Sequence, residues 1–542
     1  MKPTIMLRLC FKQALIPCLI ATTAALPLTA AIEKPVKVDG GLVVGMPGTQ
    51  DKSISVFKGI PFAAPPVGDF RWRAPQPVVA WQGVKRADKF SDSCVQIVTR
   101  GHAGFGPWTW EFLTQNDVSE GCLYLNVWTP AKSAGEKHPV FLYIYGGGFS
   151  SGSAEVPIYD GEGLARKGLV VVTINYRVGV LGFLALPELT RESGHDASGN
   201  YGLLDQVAAL QWVHKNIGGF GGDPNRVTIA GQSAGAMSVH FLTASPLAKG
   251  LFQRAIAESG GSSLTARSGV PVMTPKDLAE AEADGVRFAK ERGADSLKRL
   301  RGMSWQDLLK PMGSRLGSAA ALRFAPIVDG YFAPESPLDA MLAGKLNDVP
   351  TLTGCNADEI TGSLLGPPGP IKSDEFQKQS DRKYGEKARQ FLKLYPAVTD
   401  AQAFRARSLS SRDESLVGMY LWARKRNATM KTPTYIYLWD HPLPGPEAAK
   451  WGAFHTSEVP YAMNTLYKSD RPFTDVDRKI ADMMSSYWAN FATTGDPNGK
   501  DLPHWPAVNG RPEVMELGNR TAPVPLASDQ TKVAFFEQYL SR

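Results

Sequence analysis

Short apolar runs rich in Val, Ile, Thr and Tyr recur along this chain, and helical patterns separate them. "PVFLYIY" (139–145), "LVVVTINYR" (169–177), "RVTIAG" (226–231), "VPTLTG" (349–354) and "TYIYLW" (434–439) are the clearest. None alternates strictly between apolar and polar residues. A strand with water on one face alternates; a parallel strand covered on both faces does not need to. Between the runs lie segments such as "YGLLDQVAALQWVHKNI" (201–217), whose apolar positions recur at three and four. Strand–helix alternation predicts an α/β fold with a large, mostly parallel sheet and helices on both faces. Further helices are expected at 276–291, opened by Thr274-Pro275 as cap and first residue, and at 374–395, 401–427 and 475–492. The segments 262–325 and 360–430 read as insertions that wall a site. Gly-Asp-Pro-Asn occurs at 222–225 and 495–498, and both copies read as turns.

The 542 residues are 43% hydrophobic and 20% charged, an ordinary globular balance. With no linker between independent units, a single domain over 32–542 is expected. Residues 1–31 read differently. Lys2, Arg8 and Lys12 precede "ALIPCLIATTAALPLTAAIE", giving a charged start, an apolar stretch and a small-residue cleavage site near Ala30 or Ala31, the pattern of an export signal. Pro17 and Pro27 weaken the alternative of a membrane anchor, and no other segment is long and apolar enough to span. Loss of the signal removes three positive charges and no negative one, so the net charge falls from +7 to +4. That balance, with no basic stripe interleaved with aromatics, argues against nucleic acid as a partner. Export permits disulfides. Cys94 and Cys122 would close a loop of about 27 residues, for roughly 3–4 kcal/mol in the chain-entropy model; the alternative is three free buried thiols. Cys355 would be the odd one.

Two stretches fit glycine–any–serine–any–glycine: Gly148-Phe149-Ser150-Ser151-Gly152 and Gly231-Gln232-Ser233-Ala234-Gly235. Their surroundings separate them. Ser233 follows "RVTIAG" and precedes "AGAMSVHFLTA", so a strand, a sharp turn and a helix surround it, the context of a nucleophile elbow. A helix start there adds amide donors and the positive end of the helix dipole. Ser150 follows a strand but precedes "SGSAEVPIYDGEG", where no helix starts. The run Gly146-Gly147-Gly148 beside it suits an oxyanion hole, because backbone amides without a Cβ can point inward. A serine hydroxyl needs a base, and the base an orienting group. Downstream, Asp358 and Glu359 lie just past a strand end in "TLTGCNADEITG". The histidine candidates are His455 in "GAFHTSEVPY", His441 at the end of "TYIYLWDH" and His504 in "DLPHWP".

From about residue 35 onward the chain resembles the type-B carboxylesterase and lipase family, which includes the cholinesterases. The resemblance rests on "GIPFAAPPVGDFRWRAPQP", "SEGCLYLNVWTP", "YGGGF", "VTIAGQSAGAMSV", "GCNADEITG" and "GAFHTSEVPY". It implies the α/β-hydrolase fold and carboxylic ester hydrolysis through an acyl-enzyme, with no metal or organic cofactor and a small-molecule ester as the partner. Carried over by position, Ser233 is the nucleophile, Glu359 the acid and His455 the base. The amides of Gly147, Gly148 and Ala234 form the oxyanion hole, and His441 is structural. The resemblance also implies a Cys94–Cys122 disulfide bordering the site, with Trp108 and Trp110 inside its loop, and an Arg71–Glu120 ion pair. The chain departs from the family at Gly121, where Asp is usual, and at Gln232, where cholinesterases carry Glu; the latter argues against choline esters. Alternatives within the family are a specialised ester such as a tricarballylate-type mycotoxin ester, an amide or carbamate, and a non-catalytic adhesion homologue.

Overall fold

All five apolar runs lie in one sheet. The computed structural model describes residues 34–98, 106–260, 275–310, 322–361 and 371–540, with Met1 and Ile32. The segment 1–31, expected to be an export signal, lies outside the described residues except for Met1. Among the described residues eleven strands form the main sheet: β1 Met46–Pro47, β2 Ser55–Pro61, β3 Tyr124–Thr129, β4 His138–Ile144, β5 Val170–Ile174, β6 Gly222–Gln232, β7 Arg254–Glu258, β8 Thr351–Asn356, β9 Thr434–Trp439, β10 Glu513–Leu517 and β11 Ala522–Pro525. Their order across the sheet is β11-β10-β9-β8-β7-β6-β4-β5-β3-β2-β1. From β10 to β5 every neighbouring pair is parallel; the edges are antiparallel. This is the α/β-hydrolase architecture.

The continuous apolar runs have the expected cause. Val170, Val171, Val172 and Ile174 of β5 are all fully buried, each worth about 1.5–3 kcal/mol relative to exposure. In β9, Tyr435, Tyr437 and Trp439 join the main core, while Ile436 and Leu438 join a second core on the other face. One strand therefore supplies two cores.

Among the described residues the helices of seven or more residues are α1 Tyr201–Asn216, α2 Ala234–Ala244, α3 Leu278–Glu291, α4 Ser373–Tyr384, α5 Ala388–Leu394, α6 Asp400–Thr429, α7 Asp475–Thr494 and α8 Gln530–Leu540. Several differ from expectation. Helix α3 is capped by Asp277, whose side chain accepts the Glu280 amide in a reciprocal capping box; Pro275 precedes that cap, and Thr274 is outside the described residues. The single helix expected at 374–395 is two, because Gly385 (φ 55°) ends α4. Gly-Asp-Pro-Asn at 222–225 is not a free turn. It opens β6, and the pairing with β4 slips between Gly222 and Val227, since Pro224 has no N–H to give the ladder. The second copy is a turn, with the Asn498 amide on the Asp496 carboxylate.

The described parts of the two insertions pack into cores of their own, while 262–274, 311–321 and 362–370 lie outside the described residues. Helices α4, α5 and α6 build the second core with α8, and α3 packs in a third core with Trp72 and Leu181. Among the described residues no helix is long and apolar enough to cross a membrane.

Candidate active site

The parallel strands all end on one side of the sheet, where open α/β sheets carry their ligands. Strand β6 pairs with β4 up to Gly231–Ile144 and with β7 up to Gln232–Glu258. Ser233 is the next residue and stands as the N-cap of α2. Its backbone sits at φ 57°, ψ −120°, a conformation L-residues avoid and one that stores strain. The Ser233 amide on the Glu258 carbonyl (2.9 Å) and the Met237 amide on the Ser233 carbonyl (2.9 Å) hold it there. Gly235 lets the turn close, since a methyl at that position would fall on the Ile144 carbonyl.

Ser233 and His455 face one cavity, of about 800 Å³ with its mouth included. Trp108, Phe112, Gly147, Tyr159 and Gln232 also wall it. His455 Nδ1 meets Glu359 Oε2 at 2.5 Å, and Glu359 Oε1 accepts the Asn356 amide at 2.9 Å. Both side chains are about one-fifth exposed. Burial raises the Glu359 carboxyl, but the charge and hydrogen bond of His455 outweigh it and hold the group below the ordinary range. Burial lowers His455, and Glu359 outweighs that, so the imidazole stands above the usual histidine value. The carboxylate and the imidazole thus each favour the charged form of the other, with the imidazole at the cavity wall.

The triple glycine lies across from them, after β4. Gly147 has φ 106° and Gly148 φ 62°, values that suit residues without a Cβ. No group among the described residues takes the amide of either one. Gly147 lines the cavity, Gly148 is exposed beside it, and Ala234 is the buried first residue of α2. Ser150 is exposed, and its hydroxyl turns to the Gly147 carbonyl. The other histidines lie elsewhere. His441 bridges Asn519 and Asp477, and His504 is exposed.

A family model described as "Carboxylesterase family" matches residues 33–536. The chain belongs to the carboxylesterase family. It is 38% identical over 515 residues to a fumonisin B1 esterase of Sphingopyxis macrogoltabida, covering 92% of this chain and 89% of that one. It is 34% identical to a cholinesterase of Mus musculus (82% and 76% covered) and 32% identical to a cocaine esterase of Homo sapiens (86% and 84% covered). The protein is a serine ester hydrolase on the α/β-hydrolase fold.

In this carboxylesterase Cys94 and Cys122 are joined, with 5.0 Å between their Cα atoms; Cys355 is a free, buried thiol. Within the disulfide loop, Trp108 and Phe112 pack on Phe454, ring centroids 6.0 and 5.9 Å apart. Trp110 does not line the cavity; it walls a neighbouring groove with Phe90 and Tyr467. Arg471 ties Glu111, Thr109 and the carbonyls of Pro107 and Pro444 together. The Arg71–Glu120 ion pair is bidentate, and Arg71 also donates to the carbonyls of Leu300, Arg301 and Met303.

Sequence reasoning missed the buried polar cluster behind Glu359. Asn356 Nδ2 donates to Glu458 Oε2 (2.5 Å), and Ser259 Oγ donates to Glu458 Oε1 (3.1 Å). Glu258 accepts from Trp488 Nε1 (2.6 Å) and the Tyr143 hydroxyl (3.1 Å). Burial, with the charge of Glu359, pushes Glu458 up to about 7. Burial, with Glu458, pushes Glu258 up to about 8. The available signal was acidic residues at the ends of otherwise apolar segments, "RAIAE" and "SEVPY".

Proposed function

We propose that this esterase works through Ser233 as nucleophile, His455 as general base and Glu359 as the orienting acid. His455 takes the Ser233 proton as the hydroxyl oxygen attacks the ester carbonyl. The tetrahedral oxyanion rests on the amides of Gly147, Gly148 and Ala234. Collapse breaks the C–O bond to the alcohol, which leaves with the proton from His455. Water attacks the acyl-enzyme, gives its proton to the same imidazole, and frees the acid and the serine. The strained turn at Ser233, facing the same cavity as a His455 whose Nδ1 is held by Glu359, carries this reading.

Export fits the same reading. We infer that residues 1–31 are a signal peptide cleaved near Ala30 or Ala31, leaving a single domain of 32–542. The Cys94–Cys122 bond supports an oxidising compartment. The substrate is a small-molecule carboxylic ester, and the similarity to a fumonisin B1 esterase supports including fumonisin B1 in the first panel of esters. Purified Ser233→Ala and Ser150→Ala variants, assayed on a p-nitrophenyl ester, test the mechanism. Loss of turnover in the first and retention in the second is expected. The reverse pattern contradicts the assignment, and a wild-type protein inert toward every ester supports a binding role instead.

A further inference from the structure

The loop after β8 carries two adjacent carboxylates, and only Glu359 reaches the imidazole. Asp358 faces the backbone of the histidine loop. Its amide donates to the Ala453 carbonyl (3.0 Å), and its Oδ2 accepts the Ala453 amide (3.0 Å). The backbones of Asp358 and Phe454 also pair as an isolated parallel bridge. Asn356 Nδ2 donates to the Phe454 carbonyl at 2.7 Å, and Thr361 Oγ1 donates to the Trp451 carbonyl at 2.5 Å. These bonds fasten positions 451, 453 and 454, immediately before His455. Gly452 sits at φ 61°, and a methyl there would fall on the Asp358 carboxylate. The two loops approach closely only with glycine at that point.

We propose that Asp358 is a positioning residue for ester hydrolysis: it locks the histidine loop in register with the acid loop, so that Glu359 meets His455 Nδ1 throughout turnover. This rests on the triad reading above. The two loops come from separate strands, β8 and β9, and each adds backbone of its own beyond the sheet. Without the carboxylate, the Ala453 amide loses its acceptor, and the loop is free to shift relative to Glu359. A displacement of about 1 Å at a catalytic group is enough to cost roughly a hundredfold in rate. Burial holds the Asp358 carboxyl above the ordinary aspartate range, only partly opposed by the Ala453 amide. What the loop takes from Asp358 is the Oδ2 that accepts the Ala453 amide, and an asparagine oxygen can accept the same bond. The charged groups around Asp358 are Arg412, Asp440 and Glu359, and those acting on His455 are Glu359 and Glu458.

The test is steady-state kinetics and the pH profile of kcat/KM on an uncharged p-nitrophenyl ester. Asp358→Ala, Asp358→Asn, Thr361→Val and Glu359→Gln are compared with wild type, each normalised to folded protein. Asp358→Ala is expected to lower kcat roughly ten- to a hundredfold with KM unchanged. Its acid limb should move to lower pH as His455 loses part of the Glu359 influence. Asp358→Asn is expected to stay close to wild type in both. Thr361→Val, a milder change in the same clamp, should shift both quantities in the direction of the alanine variant. Wild-type kcat and pH profile in Asp358→Ala, with Glu359→Gln impaired, overturn the positioning role alone. If Asp358→Ala fails to fold, an unmoved Thr361→Val overturns it. Equal loss in the alanine and asparagine variants with an unmoved pH profile also overturns it. Full activity in Glu359→Gln overturns the triad reading and this role with it.

Discussion

At the scale of single residues, the site pairs a carboxyl held below its ordinary range with an imidazole held above its own, each by the charge of the other. In the proposed mechanism His455 is active as the neutral base. Burial lowers its affinity for a proton, and the facing Glu359 more than restores it. The sign follows directly: protonated His455 cannot accept from Ser233, so kcat/KM is lost as pH falls, with a midpoint above the ordinary histidine value. Glu359→Gln removes the charge and is expected to move that midpoint down and lower the plateau. A profile of kcat/KM against pH for both proteins checks it, and an unmoved midpoint contradicts it. Ser233 was legible because a strand, a tight turn and a helix follow one another in consecutive residues. The acid was open between Asp358 and Glu359, and the base among three histidines, because side-chain direction depends on contacts far apart in sequence. Asn356 reaches Glu458 across 102 positions, and no local pattern marks such a pair.

At the scale of elements, buried strands were easy to read and their connections were not. The apolar runs reappear as β4, β5, β6, β8 and β9 because burial on both faces demands continuous apolar sequence. The expected helix at 374–395 broke at Gly385 because helical spacing on both sides hides a turn between them. Segment 360–430 was expected to wall the site; its helices from Ser373 to Thr429 close a second core with their apolar faces, and 362–370 lies outside the described residues. The disulfide loop is the element that does reach the cavity. It packs Trp108 and Phe112 on Phe454, next to His455, and Arg471 ties it to Pro444. Replacing Cys94 and Cys122 by serine is expected to lower stability by about 2–5 kcal/mol, read as a fall in the denaturant midpoint. Because the loop braces the histidine loop, kcat on a small ester should fall as well. Unchanged stability and unchanged kcat would contradict the bracing role.

At the scale of the whole molecule, the sheet brings Ser233, the glycine run, Glu359 and His455 together beyond the ends of its parallel strands, from segments spread over more than half the chain. The same convergence buries Glu258 and Glu458 together. Both carboxyls are raised in the fold, to about 8 and about 7. The folded state therefore holds protons that the unfolded chain has released above its ordinary glutamate value of 4.5. Stability from this coupled pair is present at low pH and is lost as pH rises from about 4.5 toward 8, on the order of 1 kcal/mol per pH unit for each group while it titrates. Thermal melts between pH 5 and 9 should show wild type losing stability relative to a Glu258→Gln variant as pH rises; parallel curves would contradict the pairing. The central claim is that Ser233 carries the acyl group. Its most direct test is to treat the protein with an organophosphonate that labels serine esterases and locate the adduct by peptide mass spectrometry. The predicted result is one adduct, on Ser233, with Ser150 unmodified and ester turnover abolished. An adduct on Ser150, or full labelling that leaves turnover intact, would contradict it.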